Sequence, residues 1–300
     1  MKKAIVMGVL GFIGFALCKR LLEEEYEVIG IDYIAGVYKK IQEQKLSEIA
    51  RNSQLTFVNK NVEDVILDEV SPHSCDILYY CLYDNEIKED NINERLDKNI
   101  EILTKTMNFC KKNQCKFIYL SSLEVYKEND LDRKENHPRN LIGRLKVEEE
   151  KEIKSFSLMN NSQFTYYILQ LPTIYGPWQP STMTFQQLLE GNATPTMDSV
   201  KEDAVFIDDL IETLLYIPIS SMKNNTLLIG SNKKDQWQQG FNILKGASNH
   251  PQSLSEAEDE IKDERTLTFN RFIKTPLVEG INQQKEHHNY LQKLKRLGLL

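Results

Sequence analysis

The chain has 300 residues, 27% of them charged, and a formal net charge of −7. That length suits one enzyme-sized α/β unit or a nucleotide-binding domain with a smaller lobe, and the acidic balance argues against nucleic acid or an anionic membrane as a partner. No apolar run is long enough to span a bilayer, and the cysteines, Cys18, Cys75, Cys81, Cys110 and Cys115, are odd in number and mostly in apolar or helical surroundings, which fits free thiols in a reducing cytoplasm.

Apolar runs at 3–7, 27–32, 54–58, 76–81, 115–120 and 164–170 read as strands, with helical patterns near 12–24, 38–50, 87–112 and 139–160 between them. Such alternation predicts right-handed crossovers and a doubly wound parallel sheet with helices on both faces. Pro172, Pro177 and Pro180 end the pattern. Beyond them the chain is more polar, with shorter elements, and one helix carries Ile207, Leu210, Ile211 and Leu214 on a single face. Residues 1–175 are therefore read as the nucleotide-binding domain. Residues 176–300 are read as a smaller lobe over the C-terminal edge of the sheet, some of whose segments are free to return to it. The charge-rich stretch 255–265 reads as an exposed helix or loop. No cysteine or histidine has zinc-ligand spacing, and His287-His288 is read as helix surface rather than a metal site.

The strongest local signal is Gly8, Gly11 and Gly14 between the first strand and the first helix. Glycines at this spacing let the backbone approach a pyrophosphate at a helix N-terminus, where unpaired N–H groups and the helix dipole favour an anion. Asp32 ends the second apolar run, at the distance where a carboxylate accepts both hydroxyls of an adenosine ribose. Its charge opposes a 2′-phosphate, so the cofactor expected is NAD before NADP, in a Rossmann-type α/β fold. Lys2-Lys3 and the apolar residues to Cys18 imitate a secretory signal, but small residues are missing at the cleavage spacing and Asp32 has no part in that reading.

With these elements in place, the chain resembles the extended short-chain dehydrogenase/reductases, the NAD-dependent epimerase/dehydratase family acting on nucleotide sugars. Gly8-x-x-Gly11-Phe12-Ile13-Gly14 resembles the cofactor loop and Asp32 its ribose-binding acid. Asn61-Val62-Glu63-Asp64 resembles the segment along the adenine, with Asn61 where an Asp is usual. Asn99 stands on the long helix where the family often carries Asn. Phe117–Tyr126 is similar to the strand and loop that bear a catalytic Ser or Thr, which maps to Ser122. Leu171-Pro172-Thr173-Ile174-Tyr175-Gly176-Pro177 resembles the turn framing the nicotinamide. Val205–Asp209 and Thr275–Gly280 match later landmarks. The resemblance implies cofactor contacts from these positions and from Leu82, and a homodimer through the helices near 87–112 and 139–160.

The departures fall on the chemistry. The family's reaction centre pairs a Tyr with a Lys four residues on; here Lys146 aligns, but Ile142 stands at the Tyr position. Isoleucine exchanges no proton, and loss of a positioned acid/base costs about 10²–10⁴-fold. Leu82 and Tyr83 replace small residues beside the cofactor and are expected to crowd it. Val9, Leu10 and Phe15 replace small residues in and after the glycine turn. Glu202 falls where many relatives carry an Arg that grips the sugar-nucleotide diphosphate. Glu124 matches a proton-moving Glu of dehydratases and decarboxylases; its alternative is a loop glutamate facing water. Ser122 is either catalytic or a strand-end serine bonding to backbone, and Lys146 either a cofactor contact or a solvated helix lysine. Three functions remain open: a nucleotide-sugar epimerase/dehydratase-like enzyme with an altered proton route through Glu124, Ser122 or bound water, an inactive NAD- or nucleotide-binding protein acting through a partner, and an assembly subunit that keeps only the fold and pairs with an active relative.

Overall fold

Ala4, Ile5 and Val6 are all fully buried, so the strand that holds them, β1 (Lys3–Met7), is covered on both faces. Ala4 and Val6 point into one apolar layer and Ile5 and Met7 into the other, the period-2 consequence of a strand between two helical layers. The computed structural model describes residues 2–71, 75–83, 88–127, 136–160, 163–198, 200–246 and 268–300. The charge-rich stretch 255–265 lies outside them.

In chain order, β1 is followed by α1 (Phe12–Glu23), β2 (Glu27–Asp32), α2 (Lys39–Ile49), β3 (Leu55–Asn59), the single turn α3 (Leu67–Val70) and β4 (Ile77–Tyr80). Next come α4 (Ile92–Lys112), β5 (Lys116–Ser122), α5 (Leu141–Met159) and β6 (Tyr166–Leu171). The later chain supplies β7 (Thr173–Tyr175), α6 (Thr184–Leu189), β8 (Ala204–Phe206), α7 (Ile207–Tyr216), β9 (Asn225–Ile229), α8 (Gln236–Leu244), β10 (Thr268–Phe269) and α9 (Leu277–Arg296). Among the described residues, eight strands form one sheet in the order β10-β9-β6-β5-β4-β1-β2-β3, and every pairing is parallel.

Strand order reverses between β1 and β4, the switch point at whose C-terminal ends sheets of this kind have their ligand crevice. Leu17 and Leu21 of α1 and Leu210 and Leu214 of α7 fill the layer on one side; Leu103 and Met107 of α4 and Ile153 of α5 fill the other. The chain after Tyr175 does not stay apart. Its strand β9 pairs with β6, α7 packs on α1, and Arg20 Nε donates to Glu212 across that seam at 2.9 Å. The pair β7–β8 forms a small separate sheet beside the crevice strands. The five cysteines are free thiols.

Candidate functional site

The glycine turn is built by close approach. Gly8 has φ +81°, and a Cβ there would stand 3.0 Å from the carbonyl oxygen of Cys81. A Cβ on Gly14 would lie 2.1 Å from the oxygen of Gly8, so only glycine lets α1 start directly against the turn. Gly11 is the N-cap of α1 and offers no side-chain acceptor. The first-turn N–H groups near Phe12 and Ile13 therefore lack a side-chain cap, the arrangement that receives a phosphate.

Asp32, half-buried at the end of β2, accepts from the Leu10 N–H at 2.7 Å and from the Tyr33 N–H at 2.8 Å. Burial raises its pKa against the pull of those bonds and of Lys45. Lys45, on α2, is buried and donates to the carbonyls of Leu10 and Gly11 at 3.0 and 3.1 Å, pinning the turn from outside. Burial lowers its pKa to about 8, while Asp32 and Glu48 oppose the fall.

Three substitutions expected to disturb the turn are absorbed by the core. Val9 and Leu10 are buried in the layer with α1, and Gly30 leaves room for Val9, whose methyl would lie 2.9 Å from a Cβ there. Phe15 packs edge-on against Trp178 at 5.7 Å. Of the residues expected to crowd the crevice, Leu82 places Cδ2 3.3 Å from where a Gly8 Cβ would stand, whereas Tyr83 is 60% exposed. Asn61 stands at the N-cap position of a one-turn helix, Val62–Asp64, without a side-chain capping bond, and Val62 packs on the apolar layer. Pro172 is buried between β6 and β7. Among the described residues no group of three or more His, Cys, Asp or Glu is placed to hold a metal. No described helix is long and apolar enough to cross a membrane.

The would-be reaction centre lies where β5 meets α5. Ser122 ends β5, and its Oγ accepts from the Glu124 N–H at 3.2 Å, capping the turn Leu123–Val125. Glu124 is only 5% exposed, which overturns the reading of a loop glutamate facing water. Its Oε1 accepts from Asn140 Nδ2 at 2.9 Å, and Asn140 Oδ1 caps α5 through the Gly143 N–H at 2.8 Å. Gly143 allows the contact, since a Cβ there would lie 2.1 Å from the Glu124 carbonyl oxygen. Ile142 is half-buried in the first turn of α5, and Lys146 follows one turn later.

Lys146 is not a solvated helix lysine; it too is 5% exposed. Its Nζ donates to the Tyr119 hydroxyl at 3.0 Å, pairs with Glu149 at 3.4 Å and lies over the Tyr119 ring. The Tyr119 hydroxyl donates to the same Glu149 carboxylate, and burial, then that carboxylate, pushes the phenol well above its usual pKa. A second cation is engaged in the same way. Arg139 donates to Glu202 at 2.7 Å and to the carbonyls of Tyr126 and Leu123 at 3.1 and 3.3 Å. The acid at the reversed-charge position thus finds its ion-pair partner in the segment before α5, while the neighbouring Lys201 donates to it only through the backbone N–H, at 3.0 Å.

Lys45, Arg139, Glu149 and Tyr119 escape a motif-based reading. Glu149 left a signal, its i,i+3 spacing from Lys146 on one helix; Arg139 and Glu202 left none, being far apart in sequence.

The chain's likenesses agree with this geometry. It is 27% identical over 240 residues to the 37.6 kDa protein in the cld 5′ region of Escherichia coli O111:H-, covering 71% of this chain and 68% of that protein. Protein CapI of Staphylococcus aureus is 26% identical over 234 residues, with the same coverage of 71% and 68%. Among solved structures, UDP-glucuronic acid 4-epimerase from Bacillus cereus in complex with NAD superposes with a TM-score of 0.78 over 97% of both chains at 20% identity. The sequence profile of one family matches residues 4–230, and with the glycine turn, Asp32 and the parallel sheet in place the chain belongs to the NAD dependent epimerase/dehydratase family.

Proposed function

We propose that the chain binds NAD and a nucleotide sugar in the crevice at the C-terminal ends of β1, β4 and β5, as an epimerase/dehydratase-like protein whose catalytic centre is impaired or altered. The observation that carries the reading is the first turn of α5. Lys146 occupies its motif position beside the Ser122 loop, yet the residue one turn earlier is Ile142, which holds no proton.

In this reading NAD, when bound, supplies the hydride acceptor. The uncapped start of α1 at Gly11, Phe12 and Ile13 receives the pyrophosphate, and Asp32 receives the adenosine ribose. Asn61 and Val62 would hold the adenine side, and Pro172 and Leu82 would hold the nicotinamide side. Ser122 orients a sugar hydroxyl. Glu124, buried and held by Asn140, is the remaining group placed to exchange a proton. A structurally similar protein, the Bacillus cereus epimerase, holds NAD, which supports the cofactor, and the free thiols accord with a cytoplasmic setting.

A second reading, an inactive nucleotide-binding protein acting through a partner, is favoured by a specific observation. Two described cations near the reaction centre, Lys146 and Arg139, already hold carboxylates of this chain. A homodimer through α4 and α5 belongs to either reading. The groove between those helices is lined by Leu96 and Ile100 but also by Asp97, Lys151 and Glu152, so such an interface would be polar and salt-sensitive.

The test is calorimetric titration of NAD, NADP, UDP-glucuronic acid, UDP-glucose and dTDP-glucose, followed by incubation of the bound pairs with product analysis by mass. NAD binding more tightly than NADP, one nucleotide sugar bound, and slow or no turnover support the proposal. Absence of NAD binding, or rapid turnover, refutes it.

A further inference from the structure

We propose that Glu149 is a built-in occupant of the Lys146 ammonium, a positioning residue that weakens the crevice's hold on the nicotinamide-ribose half of NAD. The proposal rests on the NAD reading above. A lysine in this place contributes to cofactor binding only if its N–H donors are free to meet ribose hydroxyls. Here two of the three point inside the protein, to the Tyr119 hydroxyl at 3.0 Å and the Glu149 carboxylate at 3.4 Å, and the charge itself is balanced before any ribose arrives.

The arrangement is pre-organised. Tyr119 is fully buried, it donates to Glu149, and its ring lies under the ammonium, so the same aromatic fixes both partners of the pair. Glu150, the adjacent buried acid, does not compete for Lys146. It accepts from Ser121 at 2.6 Å, from Gln170 at 3.0 Å and from Lys154 at 3.2 Å. A ribose offers neutral hydroxyls, whereas Glu149 offers a full charge in a dry site where charge-assisted bonds are about twice as strong as neutral ones. The internal carboxylate wins that competition unless binding elsewhere draws the lysine away.

The effect is confined to one half of the cofactor. The ADP portion is served by the glycine turn and Asp32, which share no hydrogen bond with the Tyr119–Lys146–Glu149 cluster. Affinity for ADP is therefore insensitive to Glu149, and affinity for NAD is not.

The experiment measures NAD and ADP binding by calorimetry for the wild type, Glu149→Gln, Lys146→Met and the double variant, with circular dichroism as the check on folding. Glutamine keeps the shape and an acceptor for Tyr119 while removing the charge. Glu149→Gln is expected to raise NAD affinity by about fivefold or more with ADP affinity steady, and the double variant to lose that gain. An unchanged or weaker NAD affinity in folded Glu149→Gln, or a gain that survives in the double variant, overturns the proposal. If Glu149→Gln does not fold, Glu149→Asp lengthens the ion pair with less disturbance, and no gain in NAD affinity there overturns it equally. ADP binding with no gain for NAD defeats the role of Glu149 alone; no binding of either ligand by any variant defeats the NAD reading with it.

Discussion

Restoring the missing phenol is the perturbation whose size the structure sets. In Ile142→Tyr the new hydroxyl stands one helical turn from Lys146. A lysine charge about 5 Å from a phenol favours the phenolate by about 3 kcal/mol at an effective dielectric of about 20, a drop of about two pKa units. A Glu149 carboxylate taken at about 8 Å from that hydroxyl would take back about 2 kcal/mol. Roughly 1 kcal/mol is left, less than one pKa unit. Ile142→Tyr alone is therefore expected to gain about tenfold or less in NAD-linked turnover, well short of what a tuned acid/base supplies. Ile142→Tyr with Glu149→Gln is expected to gain about a hundredfold or more. The assay follows NADH absorbance and product mass with one substrate panel for all variants. A hundredfold gain in the single variant would show that Glu149 does not screen Lys146. No gain in the double variant, with NAD and nucleotide sugar shown to bind, would show that position 142 is not what limits the chemistry.

Asp32→Ala should weaken both NAD and ADP by about tenfold and abolish the preference for NAD over NADP, and because Asp32 also accepts from Leu10 it should cost about 1–2 kcal/mol of stability in urea unfolding. A retained NAD preference would remove Asp32 from the ribose site. Gly14→Ala should destabilise by more than about 2 kcal/mol, since a Cβ 2.1 Å from the Gly8 oxygen outweighs the roughly 1 kcal/mol helix-propensity gain; equal stability would contradict the close approach. His287 Nδ1 accepts from the Trp178 N–H, and burial, with Lys45 nearby, lowers its pKa from 6.5 to about 4. The unfolded chain thus gains a proton as pH falls below 6.5 while the folded ring stays neutral, and stability present above 6.5 is lost toward about pH 4, by up to about 3 kcal/mol. Urea midpoints at about pH 7 and about pH 4.5 should differ less in His287→Gln than in the wild type; identical pH dependence would refute this.

Local pattern carried the first half of the fold well. The runs at 3–7 and 27–32 coincide with β1 and β2, because strands buried on both faces are written as unbroken apolar segments. The helix expected from residue 87 starts at Ile92, an error of boundary rather than of kind. Elements after β6 were mostly illegible: β7, β8 and β10 have three, three and two residues, too short to show a period, and exist because they pair with strands distant in sequence. In the site, the motif positions were readable and their partners were not. Nothing near Val9 announces that Gly30 makes room for it, and nothing near Glu202 announces Arg139. The burial of Glu124 and Lys146 likewise comes from the docking of α5 on the β5 loop, which is tertiary.

That the crevice holds NAD beside a centre without its proton route is tested most directly by a single-turnover experiment on the wild type. Stoichiometric protein and NAD are mixed with a nucleotide sugar already shown to bind, and NADH absorbance is followed. The prediction is no NADH transient on the time scale of seconds, and its appearance on Ile142→Tyr with Glu149→Gln. A full NADH transient from the wild-type chain would contradict it and make Glu124 the working acid/base.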